Sequence, residues 1–346
     1  MKAWRVHDFG EPADVLHRED VPAPTPDDLA NLGMDLGGWK PLDPGEEPVK
    51  DWAIMDVTVA GLALPDVTMA RGTYPVTVRR PYTSGQEAVG IVTAASSNHR
   101  GLIGKRVVAV TIQPYGSFAP VAVGTATVYE VPGDLSDEEA AGFLIPAHTA
   151  YHAATRRGKV SAGETVLVLG AAGGLGSAMV QLCIAAGARV FAVVGGKEKV
   201  EFCERLGATG IDHQAGDFVD AVKAHNGGNG VDVVLDPVQG EAGARASDAL
   251  VPDGRHVICG HAAGLRPWDP HFYLHNRTLV GVTLGGYSRQ RMREIRDETR
   301  AAMDDLLASG KFHPQVSEVI GFDEIPAALT RISERRSVGR VVARID

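Results

Sequence analysis

Cysteine is scarce in this chain of 346 residues, which contains only Cys183, Cys203 and Cys259. Three isolated cysteines are too few for a framework of disulfides and too dispersed for a zinc site made of four thiolates. The scarcity favours a reducing compartment, and we therefore expect the protein to be cytoplasmic.

Long apolar runs are also absent. No stretch approaches the roughly 18 apolar residues that a membrane-spanning helix needs, and the N-terminal residues carry charge where a signal peptide would be apolar. Basic residues are in the minority as well, with 34 Lys and Arg against 43 Asp and Glu, which gives a formal net charge of -9. We therefore expect a soluble, unprocessed protein whose partner is neither a membrane nor a nucleic acid.

Glycine and proline, by contrast, are plentiful and scattered, with 41 Gly and 20 Pro. This composition suits an α/β enzyme with many turns, and the length favours two domains. In the first part of the chain, residues 22–50 are rich in Pro, Gly and Asp and predict a loop. Short β-like segments separated by turns predict mostly antiparallel or barrel-like strands at 2–7, 15–21, 54–60, 88–94, 106–111 and 117–123.

From residue 136 the pattern changes to an alternation of strands and helices, beginning with a capped helix at Ser136. Strands are predicted near 165–169, 189–194, 231–235, 255–259 and 279–284, and helices near 176–187, 197–206, 217–224 and 241–251. Such an alternation predicts a parallel, doubly wound α/β sheet with right-handed crossovers. A further helix at 291–309 leads back to β-like segments at 315–320 and 338–344.

The most informative segment is 166–176, which runs Val-Leu-Val-Leu-Gly-Ala-Ala-Gly-Gly-Leu-Gly into a helix at 177–188. Its apolar residues suit a strand buried on both faces, and its glycines allow a sharp turn and the close approach of a pyrophosphate. The N–H groups that open the helix then face the phosphates. A bare glycine triplet also occurs in ordinary turns, so the strand and helix around it supply the specificity. We predict a dinucleotide site at Gly170, Ala172, Gly173, Gly174, Leu175 and Gly176.

The end of the next strand indicates which dinucleotide binds. In this fold an acidic residue there would hold the 2′-hydroxyl of NAD, whereas a basic neighbourhood accommodates the 2′-phosphate of NADP. Strand 189–194 ends in Gly195 and Gly196, and the cations Lys197 and Lys199 follow, so NADPH is the predicted cofactor. For Lys197, a solvated helix start is the better interpretation.

Further cofactor contacts are expected where the following strands end, at the carboxyl edge of the sheet. The residues there are Gly195, Val238, Gly260 and His261. An exposed turn residue is an equally good interpretation of His261.

Other motifs occur in order along nearly the whole chain: Ala60-Gly61-Leu62, Pro65-Asp66, Arg71-Gly72-Thr73-Tyr74-Pro75, Gly85-Gln86-Glu87-Ala88-Val89-Gly90, Thr149-Ala150-Tyr151 and Asp236-Pro237-Val238. Together with the glycine turn, this set resembles the medium-chain dehydrogenase/reductase superfamily, specifically its zinc-independent quinone oxidoreductase branch. The resemblance implies a GroES-like, mostly β domain around an inserted Rossmann domain, with the active site in the cleft between them. We place the GroES-like domain at 1–135, the Rossmann NADPH-binding domain at 136–285, and the return to the catalytic domain at 286–346.

The resemblance also implies a pocket for the 2′-phosphate. In the quinone-reductase branch a Lys soon after the second strand contacts this phosphate, and Lys199 falls at that place. Relatives complete the pocket with a Tyr one strand later and an Arg near the C-terminus, positions that look like His213 and Arg335 here. The His departs from the family pattern, although a partly protonated imidazole could still donate to phosphate.

The positions of the catalytic zinc in zinc-dependent relatives correspond to Leu64 and Gln86. Neither side chain is a plausible zinc ligand, so we predict no metal. Without zinc to stabilise an alkoxide, alcohol oxidation is disfavoured. The resemblance then implies hydride transfer to an acceptor that is electrophilic by itself, a quinone or an alkene conjugated to a carbonyl.

The proton donor for such a reduction is not evident from the residues. Quinone reductases often carry Asn and Tyr at the positions of Ala63 and Thr68, so two polar groups are absent. The candidates are Tyr74, Thr149, Thr68, Tyr287 and His148, with solvent as a further alternative. Tyr74 is also interpreted as a packing aromatic, and Thr149 as a residue that positions the nicotinamide amide.

Three functions remain open: the quinone or activated-alkene reductase, an enoyl-thioester reductase, and an NADPH-binding or redox-sensing protein with little turnover. Arg79 and Arg80 hint at a groove for coenzyme A phosphates, although a solvated turn explains them better. The apolar strand at 279–284 predicts a homodimer through the sheet edge, with a covering loop as the alternative. Residues 27–50 are longer than the usual link and either shape the substrate mouth or form a surface loop.

Overall fold

The computed structural model describes residues 1–30, 51–75, 79–265, 268, 270–283 and 287–345. The chain forms two compact units, which are Met1–Ile145 with Val316–Asp346, and Pro146–Gln315. Residues 31–50, which make up most of the loop predicted at 22–50, lie outside the described residues. The two roles predicted for this loop, the substrate mouth and a surface loop, therefore stay predictions. Within its described part, Pro26–Ala30 form a short helix.

The strands are β1 (Lys2–Val6), β2 (Leu16–Asp20), β3 (Ala53–Leu62), β4 (Tyr82–Thr83), β5 (Glu87–Ala95), β6 (Arg106–Thr111), β7 (Val121–Glu130), β8 (Thr165–Leu169), β9 (Arg189–Val194), β10 (Thr209–Asp212), β11 (Val231–Asp236), β12 (Leu250–Ile258), β13 (Thr278–Gly281), β14 (Val316–Ile320) and β15 (Arg340–Arg344).

The helices are α1 (Pro12–Val15), α2 (Pro26–Ala30), α3 (Leu64–Ala70), α4 (Asp137–Ala141), α5 (Leu144–Tyr151), α6 (Gly174–Ala185), α7 (Lys197–Arg205), α8 (Phe218–His225), α9 (Gly240–Ser247), α10 (Arg289–Ala308) and α11 (Ile325–Ser333). A π-helical turn, His152–Arg157, continues α5. Within the described ranges, no helix is long and apolar enough to cross a membrane.

The first unit is built on strands that pair mostly antiparallel. Its main sheet has the order β14-β15-β3-β5-β6-β7, and β7 also pairs with β3, so four strands close on themselves. Strand β7 begins at Val121 rather than at the predicted 117, because the preceding Pro120 has no N–H to donate to a ladder. Buried side chains such as Met55, Leu62 and Phe118 fill the core of this unit.

The second unit is a six-stranded parallel sheet in the order β10-β9-β8-β11-β12-β13. Val166, Leu167 and Val168 in β8 are fully buried, as expected for a strand covered on both faces. Chain order reverses between β8 and β11, and in such sheets the crevice outside the carboxyl ends of these strands is where ligands bind. The predicted α/β class, a Rossmann sheet within a mostly β fold, is confirmed.

The division into units differs from the boundaries predicted at 135/136 and 285/286. Residues 136–145 lie in the first unit because Asp137 accepts a hydrogen bond from Arg106 at 2.6 Å and Glu138 pairs with Arg344 at 2.9 Å. At the other end, helix α10 lies in the second unit, where Glu298 pairs with Arg156. The return to the first unit therefore comes at residue 316.

Candidate cofactor site

The glycine-rich turn between β8 and α6 closes tightly on itself. Gly170 has a φ of +58°, which side chains other than glycine adopt at a cost. A Cβ added to Gly176 would lie 2.2 Å from the carbonyl oxygen of Gly170, closer than any real contact. Both positions therefore require glycine for the turn itself.

Gly173 has a different environment. Among the described residues, a Cβ there would meet only the Gly170 oxygen, at 3.5 Å, so these residues leave open space beside Gly173. Gly173 is also the N-cap of α6 and offers no side chain to the helix amides that follow. Unpaired N–H groups at a helix start, with the positive end of the helix dipole, fit an anionic pyrophosphate. Gly174 and Leu175 open the helix and are only partly buried, while Ala172 is buried.

The turn after β11 lies beside the glycine turn. A Cβ added to Gly170 would be 3.3 Å from Cγ2 of Val238, so these two predicted cofactor residues are neighbours. Gly260, which follows β12, packs against the same turn, since its Cβ would lie 2.6 Å from the Pro237 oxygen. The structure thus brings Gly170, Val238 and Gly260 together at the switch point of the sheet. His261 follows Gly260 and is half-buried.

At the end of β9, Gly195 and Gly196 leave room for side chains from the next strand. A Cβ on Gly195 would lie 3.0 Å from Nε2 of His213, so the predicted pair Gly195 and His213 is in contact. Asp212 was not anticipated from the sequence. Its Oδ1 accepts hydrogen bonds from the amides of Gly196 and Gln214, both at 2.9 Å, and these bonds lower the pKa of its carboxyl. This carboxylate fixes the turn that shapes the predicted phosphate pocket.

The predicted phosphate-binding cations lie in different places. Lys199 is on the first turn of α7 and is half-buried. Lys197 pairs with Glu201 at 3.5 Å, with 89% of its side chain exposed, which agrees with a solvated helix start. Arg335 follows α11 in the first unit with a φ of +60°. Its participation in a common pocket with Lys199 stays a prediction.

The candidates for proton transfer are also divided between the units. In the first unit, the amide of Tyr74 donates to the carbonyl of Thr68 at 3.1 Å, and the Thr68 hydroxyl donates to the Pro65 carbonyl at 3.1 Å. Tyr74 packs against the apolar core, as its alternative interpretation requires. In the second unit, Thr149 is a half-buried residue of α5.

The remaining two candidates, His148 and Tyr287, also belong to the second unit. Burial, with Arg296 and Arg300 nearby, lowers the pKa of His148 to about 3, so its ring is neutral at physiological pH. Tyr287 makes an edge-on contact with the His152 ring, with 5.5 Å between centroids. His148 therefore lacks the proton that an imidazolium acid would supply, and the catalytic role of the others stays a prediction.

The residues at the zinc positions do not fit a metal. Leu64 offers no donor atom, and the buried Gln86 offers an amide, whereas zinc takes thiolate, imidazole and carboxylate ligands. In the described ranges, no three His, Cys, Asp or Glu side chains converge on a metal-sized site. The three cysteines are free, and burial raises the pKa of the Cys183 and Cys203 thiols to about 12. They are therefore not thiolate nucleophiles at neutral pH.

A buried carboxyl that sequence reasoning missed lies next to Gln86. Asp66 is 1% exposed, and its Oδ2 accepts the Ala63 amide at 2.8 Å at the start of α3. Its Oδ1 has no hydrogen-bond partner among the described residues. Burial raises the pKa of Asp66 to about 7, against the opposing effects of the Ala63 amide and of Arg340. The Pro65-Asp66 motif marked this residue in the sequence, but its burial became evident only from the folded structure.

This shift predicts a pH-dependent stability. A carboxyl whose folded pKa is raised stabilises the fold fully below its usual pKa of 3.8, and that contribution is lost as the pH rises through about 7. Asp66→Asn keeps an oxygen for the Ala63 amide but cannot ionise. We expect the free energy of unfolding to fall by about 2–3 kcal/mol more in the wild type than in Asp66→Asn between about pH 5 and pH 8.

Urea unfolding at several pH values measures this difference. Asp134→Asn is the matched control, because it makes the same change at an exposed position. Parallel pH profiles for the wild type and Asp66→Asn would contradict the raised pKa.

These features define the class of protein as a dinucleotide-binding α/β protein with an additional mostly β unit. Two family models match the chain: "Alcohol dehydrogenase GroES-like domain" over residues 49–144 and "Zinc-binding dehydrogenase" over residues 174–302. A quinone oxidoreductase-like protein 2 homolog of Nematostella vectensis is 31% identical over 82% of this chain and 78% of its own length.

Solved structures agree. A probable oxidoreductase from Mycobacterium abscessus has a TM-score of 0.82 and 31% identity, covering 99% of this chain and 98% of its own. The quinone oxidoreductase of Thermus thermophilus, described also as a complex with NADPH, has a TM-score of 0.78 and 28% identity over 100% of both chains. The chain belongs to the medium-chain dehydrogenase/reductase superfamily, in its quinone oxidoreductase branch, which confirms the predicted family.

Segments of much longer proteins match as well. A highly reducing polyketide synthase, phiA, of a fungal species is 32% identical over 86% of this chain, but the chain spans only 12% of that synthase. A phenolphthiocerol/phthiocerol polyketide synthase subunit of Mycobacterium tuberculosis is 36% identical over 62% of this chain, and the match spans 10% of that subunit's length. The chain therefore spans only about a tenth of the length of these synthases.

Proposed function

We propose that this protein is an NADPH-dependent reductase that acts on a quinone or on an alkene conjugated to a carbonyl. The observation that carries the proposal is the turn at Gly170–Gly176, which lies at the switch point of a parallel sheet. Among the described residues this turn leaves open space at Gly173, and the helix that follows receives no side-chain cap. The NADPH complex of the Thermus thermophilus quinone oxidoreductase supports the choice of cofactor.

When bound, the cofactor supplies the hydride, and the protein's residues bind and orient it. The first amides of α6, which receive no side-chain cap, would bind the pyrophosphate, and Val238, which lies beside Gly170, would form the adjoining wall. Leu64 and Gln86 leave no site for a metal that would polarise an alcohol or ketone. The acceptor must therefore be electrophilic by itself, which supports quinones and conjugated alkenes over alcohols.

Lys199 is expected to select NADPH over NADH. A 2′-phosphate gains a charge-assisted hydrogen bond from an ammonium that the 2′-hydroxyl of NAD does not gain to the same extent. We expect Lys199→Ala to raise the KM for NADPH about tenfold and to leave the KM for NADH nearly unchanged. Initial rates with each cofactor measure this.

Lys197→Ala is the matched control for this test, because Lys197 lies two residues away and already pairs with Glu201. Equal effects of the two substitutions on NADPH would contradict a specific role of Lys199.

A second candidate is an enoyl-thioester reductase, which the likeness of the fold to the CurK enoyl reductase, with a TM-score of 0.80 and 23% identity, brings into consideration. A third, of another class, is an NADPH-binding or redox-sensing protein with little turnover. NADPH oxidation in the presence of 1,2-naphthoquinone, a 2-alkenal or a crotonyl thioester separates the three. Rapid turnover with the first two supports the proposal, whereas turnover restricted to the thioester supports the second candidate. Tight NADPH binding without turnover by any acceptor supports the third.

We also propose that two copies associate through the edge of the parallel sheet. Strand β13 pairs with β12 on one side, and Leu279 on it is 41% exposed. Tyr273 and Leu274, a few residues before β13 in the chain, are 70% and 59% exposed, and among the described strands only β12 pairs with β13. Such edges are normally covered, and an isologous pair of edges covers both at once.

Light scattering is expected to give twice the chain mass of 36.5 kDa. Leu279→Lys is expected to give the monomer mass, because a charge on an edge strand opposes pairing. Val319→Lys is the control: Val319 is 44% exposed on β14, at the edge of the sheet in the other unit. A wild-type monomer, or a dimer that survives Leu279→Lys, would contradict this interface.

A further inference from the structure

A chain of polar side chains is buried in the second unit behind the turn that follows β11. Nε2 of His256, on β12, lies 2.9 Å from Oδ2 of Asp236, and its Nδ1 lies 3.1 Å from Oγ of Ser247, at the end of α9. Asp236 and His256 are 0% exposed and Ser247 is 8% exposed. Because a carboxylate oxygen accepts, this contact is one in which the His256 Nε2–H donates to Asp236.

The order Asp, His, Ser resembles a hydrolase triad, but the surroundings exclude that chemistry. The Ser247 hydroxyl also lies 3.4 Å from the Gly243 carbonyl, and the helix covers it from solvent. Gly243 lies so close that its Cβ would be 2.4 Å from Asp236 Oδ2, so α9 packs directly on the carboxylate. A nucleophile there could reach no substrate. The chain of hydrogen bonds must therefore act on something within the protein.

What Asp236 holds is the backbone of the turn. Its Oδ1 accepts the amides of Val238 and Gln239 at 2.7 and 2.6 Å. Gln239 has a φ of +54°, which is unfavourable for a residue with a side chain and persists only where its surroundings fix it. The side chain of Gln239 donates to the Gly260 carbonyl at 2.7 Å and so ties this turn to the loop after β12.

The turn so held is the one that borders the dinucleotide site. Val238 is the residue whose side chain lies against Gly170, and Gly260 packs against Pro237. Strands β8 and β11 are the two neighbours at the switch point, so a change in this turn would move one wall of the crevice. His256 itself is fully buried and lies behind that wall.

We propose that His256 is a positioning residue for the cofactor: by donating to Asp236 it fixes the turn at Val238 and Gln239 in the shape that NADPH requires. The inference rests on the proposed function, since it presumes that NADPH is the ligand of this site. It assigns a role in binding to a side chain that touches neither cofactor nor substrate.

The test compares His256→Leu, which removes the donor, with His256→Gln, whose amide can donate to Asp236 in its place. For each we would measure the Kd of NADPH by titration, the kcat and KM, and the unfolding midpoint. We expect His256→Leu to weaken NADPH binding and raise its KM about tenfold or more, with kcat at saturating NADPH within about twofold of the wild type. His256→Gln is expected to recover most of the affinity.

Gln239→Ala provides a second variant in the same turn, which decides the matter if His256→Leu does not fold. It removes the bond to Gly260 and is also expected to raise the KM for NADPH with kcat preserved. A lowered unfolding midpoint with an unchanged Kd for NADPH, in His256→Leu or in Gln239→Ala, would show a merely structural role and overturn the inference. Absence of NADPH binding by the wild type would instead overturn the proposed function, and this inference with it.

Discussion

Replacing Gly176 by alanine is expected to raise the Kd for NADPH at least about 100-fold, which corresponds to about 2.7 kcal/mol. The added Cβ would lie 2.2 Å from the Gly170 oxygen and 2.7 Å from the Ala171 Cα, and both are backbone atoms that no rotamer change can move aside. The turn must open, and the amides at the start of α6 then lose their arrangement around the pyrophosphate. Titration of the purified variant with NADPH measures the loss.

Two further alanine variants make this test specific. In the part of the chain that the structure describes, the methyl of Gly173→Ala has one close neighbour, the Gly170 oxygen at 3.5 Å, so the variant should fold normally and still weaken NADPH binding if the open space belongs to the cofactor. Gly101→Ala is the control, because a Cβ there meets no described residue within 4 Å. Binding of NADPH by Gly176→Ala with wild-type affinity would show that the glycine turn is not the cofactor site.

The second large effect concerns stability. Arg340→Met is expected to lower the free energy of unfolding by about 3–5 kcal/mol, because it leaves a buried carboxylate without its partner. Arg340 and Glu87 are 6% and 1% exposed and form an ion pair. Arg340 also donates to the Leu62 carbonyl at 2.7 Å, and Glu87 accepts the Ile145 amide at 3.1 Å. Burial raises the pKa of Glu87, and Arg340 opposes that shift.

The double variant Glu87→Gln with Arg340→Met is the control for charge. It removes the uncompensated carboxylate and should recover part of the lost stability, since a neutral pair costs less to bury than a single charge. Urea unfolding of the wild type, the single variant and the double variant gives the three values. A loss below about 1 kcal/mol in Arg340→Met would contradict a structural role of the pair.

Local sequence patterns predicted those parts of the fold that depend on local interactions. The strands Arg106–Thr111, Thr165–Leu169 and Arg189–Val194 occur at the predicted positions, because runs of β-branched and apolar residues bounded by turns specify them. The capping box of Ser136 with Glu139 is present as the motif indicates. Strand Thr209–Asp212 was missed, since four residues with one buried apolar side chain carry little periodicity.

The candidate site was predictable to a similar degree. The glycines and the residues after each strand could be proposed because the turn and the sheet order constrain them; Gly170 lies against Val238, and Gly260 lies against Pro237. Asp66 and His256 were not identified, because burial and contacts between distant segments give them their properties. The second unit also ends at Gln315 rather than at the predicted residue 285. Helix Arg289–Ala308 belongs to this unit through tertiary contacts, which the local sequence pattern does not reveal.

We propose that this chain uses NADPH to reduce an electrophilic acceptor. The most direct measurement is the initial rate of nicotinamide oxidation by the purified wild-type protein with 1,2-naphthoquinone, with NADPH and NADH compared at equal concentrations. We predict turnover with both cofactors, and a kcat/KM for NADPH at least about tenfold above that for NADH, the ratio that one charge-assisted contact to the 2′-phosphate supplies. Equal use of NADH, or no oxidation of NADPH by the quinone or by a 2-alkenal, would contradict it.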